Sequence, residues 1–293
     1  MNKKTVPKSP FDAIVFAGGG CRCLWQAGFL TVASPALSLA PKQVAAASAG
    51  AAIACMFYAE RTEFSLRTFK EATAKNKKNF YFSNIFRGAP AFPHYGMYSA
   101  LMLETMDGPA MERLRRGPDI RILYSRPPAL LGPRFATFTG IMAYLIDKHF
   151  SGAVHPSLPS KLGFTPVTES ARDCETAEDL AELVLASSCT PPFTPIMRRG
   201  AKTALDGGLI DNVPLGALSR RDGNVLVLLT RQYAEKTIPV VPGRVYVQPS
   251  RPSPIAKWDY ANPRGLQEVF DLGRRDGEMF AKRFVDGPGL HRN

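Results

Sequence analysis

The chain is short of histidine, short of acid, and without a long apolar run. Its 293 residues include four histidines, five cysteines and two tryptophans, and 25 acidic residues stand against 37 lysines and arginines. Five cysteines make an odd count, and Cys21-x-Cys23 has neither redox nor zinc spacing, with no second ligand pair nearby. A disulfide framework is therefore not expected, both thiols read as small core or turn residues, and a reducing compartment fits. No stretch approaches the ~18 apolar residues that span a bilayer. The longest, Phe138 to Ile146, is half that length and carries Thr139 and Gly140. At the start, Pro7, Pro10 and Asp12 precede any apolar stretch, so a secretory signal is not expected. These absences point to a cytoplasmic protein that touches a membrane only at its surface. The net charge of +12 favours anionic partners. Neither a recognition-helix pattern nor an RNA-binding aromatic signature accompanies it, so nucleic acid is not an expected partner.

What is present is a globular composition, 45% hydrophobic and 21% charged, long enough for one large α/β core. Residues 1–10 read as a polar, disordered lead-in and residues 11–293 as one domain. Strands are expected over 13–17, 43–47, 120–124, 225–229 and 244–247, with a hairpin around Arg199-Gly200. Helices are expected over 24–32, 49–60, 63–77, 99–106, 136–149, 178–187 and 266–284. Alternation of strands and helices argues for a mixed or mainly parallel sheet. Residues 79–98 interleave seven aromatic residues with glycine and proline. That segment reads either as a wall or lid over a greasy cleft or as a loop packed inward by its rings.

Three segments carry chemistry. Gly18-Gly19-Gly20-Cys21-Arg22 follows the apolar run 13–17, so backbone N–H groups there can approach an oxyanion or a phosphate without obstruction. A dinucleotide fingerprint is missing its third small residue and its acid, and a P-loop its Gly-Lys-Ser/Thr. Arg22 either steadies that loop, meets a lipid phosphate, or is solvated. Ala46-Ala47-Ser48-Ala49-Gly50 sets a serine between strand and helix with small residues two before and two after, as a sharp nucleophile turn requires. A plainer job for Ser48 is to cap that helix. Asp206-Gly207-Gly208 offers an unobstructed carboxylate, or simply a hairpin turn. His94 and His155 sit beside prolines in expected loops, and His291 lies two residues from the end, so none is a good base. An aspartate in water is a weak base, so Asp206 would need burial and contact with the hydroxyl it serves.

In this order the segments resemble the patatin-like phospholipase family, whose pattern is G-G-G-x-R/K-G, then G-x-S-x-G, then D-G-G/A. Leu209-Ile210-Asp211-Asn212-Val213-Pro214 and Ala186-Ser187-Ser188-Cys189-Thr190-Pro191 are similar to the family's flanking segments, and the resemblance spans about residues 11 to 216. Cys23 stands where the first motif has its last glycine, and Ala46 where the second has its first. The resemblance implies a three-layer α/β/α sandwich around a mainly parallel sheet. It implies Ser48 as nucleophile, Asp206 as its dyad partner, and Gly18, Gly19 and Gly20 with Arg22 as the oxyanion hole. The implied activity is hydrolysis of lipid acyl esters, of phospholipase A or lysophospholipase type, without metal or cofactor. The implied partners are a lipid or phospholipid ester and, peripherally, an anionic membrane surface. The alternative is a lipid- or membrane-binding protein that keeps the fold without catalysis.

Overall fold

A computed structural model of the chain describes residues 9–128, 162–219 and 223–286. The expected helix over 136–149, the apolar run 138–146, most of the lead-in, and His149, His155 and His291 lie outside the described residues.

Among the described residues eight strands form the sheet: β1 (Ala13–Phe16), β2 (Gln43–Ala47), β3 (Asp119–Arg126), β4 (Thr165–Ser170), β5 (Met197–Arg199), β6 (Lys202–Asp206), β7 (Val225–Leu228) and β8 (Arg244–Val247). Their order is β5-β6-β3-β2-β1-β7-β8, with β4 also paired to β3. The run β3-β2-β1-β7-β8 is parallel, and β4, β5 and β6 join antiparallel. The central strands are short apolar runs because both faces are covered. Ile14 and Phe16 of β1 enter one core and Ala13 and Val15 the other.

The first core is roofed by α1 (Leu24–Ala36), α2 (Ala49–Tyr58), α3 (Thr62–Lys75), α5 (His94–Thr105), α6 (Gly108–Arg116), α7 (Ala177–Ser187) and α8 (Pro263–Asp286), with the short α4 (Phe82–Phe86) at its margin. On the opposite face the 3-10 turn Leu215–Ala217 and its neighbours Val213 and Leu218 pack on the sheet. Helical segments therefore lie on both sides of a mixed, mainly parallel sheet. α1 and α8 cross with their backbones nearly touching. A methyl on Gly28 would meet Phe270 O at 2.0 Å and one on Gly273 would meet Trp25 O at 2.1 Å. Trp25 Nε1 donates to Asp276 at 2.6 Å across the same crossing.

The principal departures from expectation are extensions, one missed strand and one missed helix, the nine-residue α6. α1 runs to Ala36, because Pro35 in its last turn gives up only one hydrogen bond there. β4 is one-sided and polar (Thr165-Pro166-Val167-Thr168-Glu169-Ser170), so it carries no apolar signal. Residues 79–98 are not one loop, since α4 and the start of α5 fall within them.

Candidate active site

β1 lies between two parallel neighbours, and its carboxyl end runs into the triple-glycine bend, the usual place for a site in a parallel sheet. Buried Gln26 donates to Ala17 O (3.0 Å) and Leu228 O (2.9 Å), tying the ends of β1 and β7 together beneath that bend. Gly18 is clamped from three directions. Its N–H donates to Asn212 O (2.9 Å), and its carbonyl accepts from Asn212 Nδ2 (3.0 Å) and Thr230 Oγ1 (2.7 Å). Gly20 has φ of +60°, and a methyl there would lie 2.1 Å from Lys257 O. The Gly18 N–H is thus spent on the loop itself, and the N–H groups of Gly19 and Gly20 have no partner among the described residues. Arg22 turns its Nε back on Gly19 O at 3.3 Å. Cys23 is fully buried, its thiol on Ala17 O at 3.5 Å and pushed up to about 12 by burial, so it fills space rather than reacts.

Ser48 follows β2 and precedes α2 with φ 54° and ψ −139°, a conformation that costs of order 1–3 kcal/mol and persists only where its surroundings impose it. Two things impose it. Gly50 packs against the end of β1, where a methyl would lie 2.7 Å from Ala17 O. Ser187, fully buried at the end of α7, accepts the Ser48 N–H at 2.8 Å and donates to Leu123 O at 2.6 Å. Ala46, by contrast, has its methyl inside the first core, where it crowds no turn. Ser48 makes no side-chain cap bond to α2. Its hydroxyl points elsewhere, donating to Asp206 Oδ2 at 2.8 Å.

That contact is a product of β3. Ala47 registers with Leu123 and Asp206 with Tyr124, so one strand sets Ala47 and Asp206 on adjacent rungs and brings Ser48, the residue after Ala47, beside a carboxylate 158 positions on. Gly207 is needed at this crossing, since a methyl would lie 2.2 Å from Leu123 O. The Asp206 carboxylate is buried and accepts two more hydrogen bonds, from Thr190 Oγ1 to Oδ2 (3.0 Å) and from Gly208 N–H to Oδ1 (2.7 Å). Thr190 and Ser187 escaped the sequence reading as functional candidates; the small-residue segment that holds both was the available signal.

A cleft of about 340 Å³ opens over Gly18, Gly19 and Asp206. Phe193 and Trp258 form one wall, their rings stacked 4.5 Å apart, and Arg22, Arg231 and Lys257 supply positive charge around it. The Lys257 ammonium sits 4.7 Å from the centre of the Trp258 ring. Burial lowers its pKa below the ordinary lysine value; Asp206 raises it in opposition, and Arg22 lowers it further. Among the described residues His94 makes no hydrogen bond to Ser48 or Asp206, and its ring packs edge-on against Phe193 and Trp258, the wall of the cleft. It is buried at the start of α5, its Nε2 2.9 Å from Trp258 O, and burial pulls its pKa below the ordinary imidazole value. Among the described residues no cluster of His, Cys, Asp and Glu could hold a metal ion, all five cysteines are buried and unpaired, and no helix is long and apolar enough to cross a membrane.

A family model described as patatin-like phospholipase matches residues 14–219. Among solved structures, the crystal structure of VipD from Legionella pneumophila aligns with a TM-score of 0.44 at 11% sequence identity, covering 93% of this chain and 67% of that one. No curated protein matches the chain.

Proposed function

Because the chain belongs to the patatin-like phospholipase family, we propose that it is a serine lipid acyl hydrolase, a carboxylic ester hydrolase working through a Ser48–Asp206 dyad. The observation that carries this reading is the 2.8 Å bond from Ser48 Oγ to Asp206 Oδ2, made by a serine whose backbone is held in a nucleophile-type turn. Asp206 Oδ2 takes the hydroxyl proton as Oγ forms its bond to the ester carbonyl carbon. The carbonyl oxygen becomes an oxyanion, and the free N–H groups of Gly19 and Gly20 receive it, a contact worth about 3–4 kcal/mol per donor. The C–O bond of the ester then breaks, the departing alkoxide takes the proton from Asp206, and an acyl-Ser48 ester remains. Water adds to that ester while giving a proton to Asp206, and collapse releases the carboxylic acid and returns the proton to Ser48. Thr190 and the Gly208 amide keep the carboxylate aimed throughout. The course uses no cofactor.

The substrate of this reading is a phospholipid-type ester. Phe193 and Trp258 offer apolar surface to an acyl chain, while Arg22, Arg231 and Lys257 suit a phosphate-bearing headgroup. Unpaired buried thiols suit a cytoplasmic enzyme, and the +12 charge suits peripheral contact with anionic lipid. The test is release of p-nitrophenol from a medium-chain ester, with fluorophosphonate labelling alongside. Ser48→Ala should abolish both signals, and Asp206→Asn should cut turnover by about 10²–10⁴. Undiminished turnover in Ser48→Ala would remove the nucleophile, and a wild-type protein that neither labels nor turns over would leave the non-catalytic lipid binder.

A further inference from the structure

Nine large apolar side chains are exposed among the described residues, and four of them fall within seven positions: Phe80, Phe82, Ile85 and Phe86, with Phe86 the most open of the four at 77%. Isolated exposed apolar residues are ordinary, but a cluster of this kind marks a surface that something covers. The cluster does not hang loose. Asn76 and Asn79 bond to Tyr260 O (2.8 Å) and Asp259 Oδ1 (3.0 Å), Tyr81 N–H to Ala91 O (2.8 Å), and Asn84 to Pro90 O (2.9 Å). Polar groups anchor the base of this part of the segment while Phe80, Phe82 and Phe86 face outward; farther along the same stretch Tyr98 packs into the core.

Two further observations say what covers it. The first is charge: Lys75, Lys77, Lys78 and Arg87 are exposed beside the rings, and no acidic residue occurs between Glu71 and Glu104. The second is continuity with the cleft. Successive ring centres run from Phe86 to Phe82 (5.2 Å), Phe80 (6.4 Å), Phe92 (5.1 Å), Phe193 (4.9 Å) and Trp258 (4.5 Å), and the last two line the cleft over Asp206. Apolar rings ringed by cations suit the boundary between headgroups and acyl chains of an anionic lipid layer.

We propose that residues 77–87 are the surface by which the enzyme docks on anionic lipid aggregates, Phe82 and Phe86 entering the acyl layer and the ring track leading an acyl chain to the cleft. This rests on the lipid-hydrolase reading of the same cleft, so binding and catalysis are tested separately. Full-length Ser48→Ala, which leaves lipid intact, is sedimented with vesicles of pure phosphatidylcholine and of phosphatidylcholine with one-third phosphatidylglycerol. Preferential binding to the anionic vesicles is expected. Adding Phe82→Ser and Phe86→Ser should weaken it about 30-fold, from the apolar surface withdrawn from the acyl layer, and Lys77→Gln with Lys78→Gln and Arg87→Gln should remove the anionic preference. In the chain retaining Ser48, the two serine substitutions should leave melting temperature unchanged and turnover of a soluble ester within twofold. Equal vesicle binding with and without Phe82 and Phe86 would overturn the proposal. So would a parent chain that ignores both vesicles, or a concentration-dependent dimer that the two substitutions abolish. Loss of soluble-ester turnover in the wild type with vesicle binding intact would instead sink the catalytic reading and support the docking surface.

Discussion

Ser187→Ala tests the idea that catalytic geometry at Ser48 is imposed from α7. The hydroxyl is fully buried and makes two bonds, accepting the Ser48 N–H at 2.8 Å and donating to Leu123 O at 2.6 Å. Alanine deletes a single oxygen and leaves that donor and acceptor facing a space closed to solvent. An unpaired buried group costs about 1–3 kcal/mol, so the substitution should destabilise by roughly 2–4 kcal/mol. In a chain of this size that is a fall in melting temperature of about 3–7 °C. It also frees a backbone held at φ 54°, and relaxation toward an ordinary conformation swings Oγ away from Asp206. Turnover should therefore fall about 10–100-fold at nearly constant KM, because the change acts on alignment rather than on substrate contacts. Calorimetry, a soluble-ester assay and the rate of fluorophosphonate labelling read the three effects, with labelling slowed in step with kcat. A variant that loses stability but keeps its labelling rate and kcat would show that Ser187 only packs. One that loses neither would refute the account of how the turn is held.

Gly20→Ala places a methyl 2.1 Å from Lys257 O at a φ of +60°, so the bend must open; both turnover and melting temperature should drop, the first by at least about 100-fold if its amides hold the oxyanion. Lys257→Met removes a cation from the cleft while keeping its apolar stem, and should raise KM for a phosphate-bearing ester about tenfold while leaving a neutral p-nitrophenyl ester within about twofold. His94 lies among Phe92, Phe193, Trp258 and Tyr260. Burial depresses its pKa, opposed by the Trp258 carbonyl and Asp259. A depressed folded value means that its contribution to stability is complete above about 6.5 and is lost as pH falls from there toward that value. His94→Phe should accordingly lose less melting temperature than wild type between pH 7.5 and pH 5; equal losses would exclude His94 as a source of acid sensitivity.

The sequence by itself determined the local parts. Three glycines after an apolar strand, a serine with small neighbours between strand and helix, and an aspartate before two glycines each constrain only a few adjacent dihedrals, which is why they can be read one segment at a time. Gly50 was legible for the same reason, as the small residue a sharp serine turn requires; that Gly50 and Gly207 lie against Ala17 O and Leu123 O came only from the tertiary structure. Short-range signals could not say whether Ser48 caps α2 or faces Asp206, nor whether Asp206 is more than a turn residue. Only the tertiary structure decided that, through the register of β3, which sets Ala47 and Asp206 on neighbouring rungs. It also decided that Gly18 spends its N–H on Asn212 while Gly19 and Gly20 keep theirs, and that Ser187 and Thr190 serve the two members of the pair. It turned Phe82 and Phe86 outward rather than into the core. The division has one physical cause: dihedral preferences and apolar periodicity act over a few residues, whereas strand pairing and burial couple positions that the chain keeps far apart.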